Sequence, residues 1–189
     1  MCRCTTHRKA YNKGKLDERT PFLMDRRIKN LVLSSLFASL CCITTMIIQI
    51  PAPTGYVNLG DCAVLLSAWT LGPLWGGAAA GIGTMMADIL NGWASYAPAT
   101  FVIKFTMAVM ASLTFHRIQN KWGPLISGIV AESIMVSGYF LYENYVLGLG
   151  NAAVASLPAN LFQGIVCLIS GVSVFFVLNR SETVSRLKQ

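Results

Sequence analysis

Histidine, acidic residues and nucleotide-binding glycine patterns are what this 189-residue chain has least of. It holds two histidines, His7 and His116, on widely separated segments, with no H-E-x-x-H and no G-x-x-x-x-G-K-[ST]. These absences argue against histidine-based metal catalysis and against ATP hydrolysis by this chain. No paired-aspartate motif of the kind that holds magnesium-diphosphate is present, which argues against a prenyl-group enzyme. Charged residues make up only 12% of the chain against 54% hydrophobic, and mean hydropathy is +0.55. That balance points away from a soluble globular protein and toward a small, all-α, polytopic membrane protein.

What charge there is lies in a pattern. Of 15 Lys and Arg residues, nine precede the first long apolar run (Arg3 to Lys29), Arg117 and Lys121 follow the fourth, and Arg180, Arg186 and Lys188 follow the last. The alternate connections carry none, so every flanking cation falls on one side of a membrane, the cytoplasmic one. The net charge of +7 is therefore a membrane signature and not a nucleic-acid footprint, since no basic-aromatic stripe accompanies it. Six cysteines are present, but Cys41, Cys42 and Cys167 lie in apolar runs and behave as small hydrophobes. Cys2, Cys4 and His7 form a metal-like cluster that lacks a second ligand pair, so no metal or cofactor is expected.

The apolar runs predict six transmembrane helices with both termini cytoplasmic. A basic tail covers 1–29, a membrane domain 30–180, and a C-terminal tail 181–189. The first span is expected over 31–50, ended by Pro51 and Pro53, with an irregular loop over 51–61. A short second span follows, ending at the turn Gly72-Pro73, and a small-residue-rich third span covers 74–90. The fourth, fifth and sixth are expected near 100–115, 125–146 and 159–178. Outward connections at 51–61, 91–98 and 147–158 contain Asp61 and no basic residue. Tyr142 and Tyr145 suit interface anchors on that side.

Four ionisable residues fall within or at the ends of these spans: Asp88, Lys104, Glu132 and Glu143. Each is costly in hydrocarbon and needs a partner or a wet cavity. Asp88 and Lys104 are placed at similar depth, either as a structural ion pair or as the floor of an outward-facing pocket. Glu132 and Glu143 are 11 residues apart, about three turns, and share a helix face with Tyr139. Asn160 and Gln163 add amides near the outer end of the sixth span. Asp61 reads as a helix cap, whereas Tyr56 and Asn58 read as parts of a lid. Aromatic walls with a few directed polar groups suit a small polar heterocycle or acid.

Read as one unit, Tyr56-Val-Asn-Leu-Gly-Asp61, the run Leu71-Gly-Pro-Leu-Trp-Gly-Gly-Ala-Ala-Ala-Gly-Ile-Gly83, Ala87-Asp88, Trp93 and Tyr96 through Lys104 closely resemble the substrate-binding S component of energy-coupling factor (ECF) vitamin importers. The resemblance implies capture of a water-soluble vitamin at the outer face and delivery through a transmembrane coupling subunit and two ATPase subunits, with the S component tipping in the bacterial cytoplasmic membrane. It implies a ligand beneath the first outer loop and against the later helices, where topology places Asn58, Trp93, Tyr96, Lys104 and Tyr139. It also implies a small-residue face on the first helix toward the coupling subunit. Ser34, Ala38 and Cys42 have that spacing, as do Ser35 and Ser39. The Asn-Leu-Gly-Asp and Ile-Lys signatures look most like the pyridoxine or hydroxymethylpyrimidine subgroup, with pantothenate as runner-up if Lys104 is unpaired. Two readings from other classes are an intramembrane enzyme using Glu132 or Asp88, and a membrane scaffold.

Overall fold

The structure, a computed structural model, describes residues 19–118 and 120–180. The Cys2, Cys4 and His7 cluster and the 181–189 tail lie outside the described residues. Helix α1 (Arg19–Ile47) starts inside the segment predicted as a basic tail. Its portion up to Leu33 belongs to one compact unit, and from Ser34 onward the chain forms a second. That second unit contains β1 (Gln49–Ala52), β2 (Gly55–Asn58), α2 (Gly60–Leu71), α3 (Pro73–Leu90), α4 (Ala97–Arg117), α5 (Gly123–Leu141), a π-helical turn (Tyr142–Val146) and α6 (Asn151–Arg180).

Two expectations are corrected. The segment predicted as an irregular loop is a β-hairpin, antiparallel, with Ile50 opposite Val57 and Pro51 opposite Tyr56. Among the described residues, the regular structure is therefore helical except for this ribbon. The two-residue connection Pro53-Thr54 has proline where a tight turn wants a fixed φ, and the facing Ile50 and Val57 form a β-branched cross-strand pair. Pro51 is tolerated because a two-stranded ribbon consists of edge strands. The second correction is at α6, which starts at Asn151, so most of the predicted 147–158 connection is helical and Pro158 lies inside the helix. Pro158 removes one backbone bond, which a 30-residue helix survives.

Among the described residues, four helices are long and apolar enough to cross a membrane: Arg26–Ile47, Ala97–Arg117, Gly123–Val146 and Asn151–Arg180. Helix α2 is apolar but has 12 residues, and α3 has 18. At 1.5 Å per residue, α2 spans about 18 Å, short of a hydrocarbon core. Gly72 joins the two helices with φ +82°, a left-handed conformation that a Cβ opposes, and Pro73 starts α3 at a position where its missing N–H costs nothing.

The core of the Ser34–180 portion is built on α2, buried at Ala63, Val64, Leu65, Ala68 and Trp69, against Met107, Ala108 and Ala111 of α4 and Ala131 and Met135 of α5. Small residues on α3 allow close approach: a Cβ at Gly76 would stand 2.7 Å from the Ser67 carbonyl oxygen, and one at Gly83 would collide with the Ala38 carbonyl of α1. Ile82, Ile89, Leu113, Ile129, Ile165 and Ile169 are exposed, as helices bathed in lipid require.

Candidate ligand pocket under the hairpin

The hairpin covers a cavity enclosing about 50 Å³ of free space. Its lining brings together nine of the residues singled out from sequence: Tyr56, Asn58, Asp88, Trp93, Tyr96, Tyr139, Glu143, Asn160 and Gln163. Ala52, Thr54, Gly55 and Thr100 complete the wall. Lys104 and Glu132 do not line it. A row of rings runs along one side, with Tyr56–Trp93 centroids 6.0 Å apart, Trp93–Tyr96 5.8 Å and Tyr96–Tyr142 5.7 Å.

Three residues of the hairpin tip and exit, Thr54, Tyr56 and Asn58, are held by side chains from outside the hairpin. Tyr56 donates its hydroxyl to Asp88 Oδ1 at 2.6 Å, and Thr54 donates to Glu143 Oε1 at 2.8 Å. Tyr96 donates to the Thr54 carbonyl at 2.7 Å, and the Asn58 backbone N–H donates to Gln163 Oε1 at 2.9 Å. Ser156 donates to the second Glu143 oxygen at 2.6 Å. Burial, followed by the bond to Asp88, raises the Tyr56 hydroxyl above its ordinary range. Burial, followed by the Glu143 charge, pushes Tyr96 up to about 12. Both phenols are neutral donors at physiological pH.

Below the pocket lies a polar cluster that sequence reasoning did not assemble. Lys104 does not pair with Asp88. Its ammonium is bonded to Asp61, with both side chains buried, at 3% and 0% exposure. Asp61 is not a helix cap, since Leu59 occupies the cap position of α2 without a side-chain bond. Its other oxygen accepts from Gln163 Nε2 at 2.7 Å. Gln163 therefore bridges the hairpin and the ion pair. Asn58 Oδ1 accepts the Gly60 N–H at 2.8 Å, the local turn predicted by neither lid nor cap. The signal for Asp61 was its charge beside an apolar run, which fits a cap and a buried partner equally.

Glu132 and Glu143 share a face of the α5 direction but differ in depth by about 16 Å, eleven residues at helical rise. The π-helical turn carries Glu143 into the pocket, whereas Glu132 lies against Gly164 of α6 and borders a second cavity with Ile129, Ser133, Val136 and Leu161. Neither Glu132 oxygen has a hydrogen-bond partner. On α1, Ser35 and Ser39 are exposed, Ala38 and Cys42 half-buried and Ser34 buried. Among the described residues, no group of three or more His, Cys, Asp or Glu side chains is arranged to hold a metal ion.

Residues 26–180 match the family model described as ECF-type riboflavin transporter, S component. The chain belongs to this family. It is similar to a protein of Pyrococcus woesei described as "Uncharacterized protein in gap 3'region", 36% identical over 141 residues, covering 73% of this chain and 93% of that one. A solved structure of the S component of a bacterial ECF transporter superposes with a TM-score of 0.64 at 21% identity, covering 86% of this chain and 99% of that one, so the two share a fold. An S component is a substrate-binding transporter subunit and not an enzyme, which removes the intramembrane-enzyme reading. Family membership with several apolar helices makes the chain a multi-pass membrane protein whose substrate is a vitamin and whose partner is an ECF module.

Proposed function

We propose that this S component captures a pyridine or pyrimidine vitamin precursor, of pyridoxine or hydroxymethylpyrimidine type, at the outer face of a bacterial cytoplasmic membrane. It passes the ligand inward with a transmembrane coupling subunit and two ATPase subunits. The observation carrying this reading is the cavity itself: small, walled by Tyr56, Trp93, Tyr96 and Tyr139, and supplied with directed polar groups by Asn58, Asp88, Glu143, Asn160 and Gln163. Its free space is smaller than a single ring needs, so any ligand enters as the hairpin lifts, and a one-ring ligand asks for the smaller displacement. Riboflavin is the second reading, resting on the description of the family; a tricyclic flavin requires a larger displacement of the hairpin.

Six spans, with both termini cytoplasmic, suit the cation pattern, because the two connections that hold the pocket walls, 48–59 and 91–96, contain no Lys or Arg. The exposed Ser35–Ser39 pair on α1 is the better candidate face for the coupling subunit. Pantothenate loses its argument, since the Lys104 ammonium is occupied by Asp61.

Calorimetry of the purified chain against a vitamin panel tests the substrate. Micromolar or tighter binding of pyridoxine or hydroxymethylpyrimidine is expected. Binding of none of the vitamins sinks the capture role. Recovery of a coupling subunit and ATPases on mild-detergent purification tests the assembly.

A further inference from the structure

Resting on the reading of this cavity as the vitamin site, we propose that it selects a ligand carrying a protonated nitrogen, held between the carboxylates of Asp88 and Glu143, and rejects vitamins bearing a carboxylate or phosphate. That the chain binds a vitamin follows from family membership and not from the acids. The acids decide its charge.

Asp88 and Glu143 are 6% and 3% exposed, and both line the cavity, one from the end of α3 and one from the π-helical turn. The other titratable groups of the wall are Tyr56 from β2, Tyr96 at the start of α4 and Tyr139 of α5, while α6 contributes only the amides of Asn160 and Gln163. Among the described residues, no Lys, Arg or His lines it. Lys104 stands 5.3 Å from the Tyr139 ring, but its charge is matched by Asp61, leaving the field in the cavity negative. The neighbouring outer connections add no cation.

The hairpin hydroxyls mark where ligand donors bind. Tyr56 sits on Asp88 and Thr54 on Glu143, each through a hydrogen it donates. Both hydroxyls belong to the element that must move for entry. Its displacement uncovers two carboxylates that only accept, so the complementary ligand atoms are N–H or O–H donors, and a positive one gains the charge-assisted bond. An anionic substituent meets like charge from two buried carboxylates.

Three ligands that share one ring and differ in the charge of one substituent test this: pyridoxamine, pyridoxine and 4-pyridoxic acid. Titrated into the purified full-length chain in detergent at pH 7, pyridoxamine is expected to bind at least about tenfold more tightly than 4-pyridoxic acid, with pyridoxine between them. Asp88→Asn and Glu143→Gln are each expected to shrink that ratio by about threefold or more. Equal affinity for pyridoxamine and 4-pyridoxic acid overturns the proposal, as does a ratio that neither substitution changes. If the variants do not fold, the wild-type ratio alone decides. Binding of riboflavin or pantothenate but of none of the three ring ligands overturns the charge selection while leaving the capture role standing. Failure of every vitamin to bind overturns the capture role itself.

Discussion

Lys104 and Asp61 form a buried ion pair between α4 and α2, 43 residues apart in sequence, tied to the pocket wall by Gln163. The pair removes from the pocket the cation that the sequence places nearest to it. Lys104→Met leaves Asp61 charged, buried and bonded only to Gln163. A loss of about 3–5 kcal/mol is expected, read as a drop in thermal stability and folded yield in detergent. The double substitution Lys104→Met, Asp61→Asn is expected to recover much of that loss. A single variant as stable as the wild type contradicts the pairing.

Gln163 joins the hairpin to the same pair through Asn58 and Asp61. Gln163→Leu leaves the Asn58 N–H and one Asp61 oxygen without their partner, a cost of about 1–3 kcal/mol for each buried group left unsatisfied. Faster hydrogen exchange at Asn58 and weaker vitamin binding are expected together. Unchanged exchange at Asn58 means that the bridge does not hold the hairpin.

Gly60 is needed for space, because a Cβ there would collide with Thr45 Oγ1 and stand 2.8 Å from Asn58 Oδ1. Gly60→Ala is expected to cost about 1–3 kcal/mol through overpacking. Thr45→Ala in the same chain relieves it, since the Thr45 hydroxyl has no hydrogen-bond partner of its own to lose. Melting curves of the two single variants and the double variant give the coupling. Simple additivity refutes the contact.

Glu132 is buried with neither oxygen hydrogen-bonded, on a cavity apart from the vitamin pocket. Glu132→Met removes a polar group that has no partner, so thermal stability is expected to hold or rise, with vitamin affinity changed less than about twofold. A tenfold loss of affinity in the folded variant would return Glu132 to the binding site.

How much of this was legible in the chain differs by element. The turn at Gly72-Pro73, the small-residue packing of α3 and the helical segments follow from local chemistry: apolar length, φ restrictions and the absence of bulky side chains. The hairpin was missed because two prolines within four residues end a helix so strongly that they mask the facing Ile50 and Val57. The early start of α6 was missed because Pro158 was read as a boundary. Nine pocket residues were identified because aromatic and polar groups at one end of apolar helices share one depth. Glu132 lines a different cavity from Glu143, since helical periodicity reports the face and says nothing of how far a cavity reaches along it.

The sequence by itself determined the membrane class and the family, because apolar runs and short motifs are written in contiguous residues. Only the tertiary structure decided which carboxylate takes Lys104. Asp61 and Asp88 are both one or two spans away, and the choice depends on how α2, α3 and α4 pack around residues with little or no side chain at Gly76, Ala80 and Gly83. A buried ammonium goes to the carboxylate that packing brings within bonding distance, and that choice leaves Asp88 to the Tyr56 hydroxyl of the hairpin.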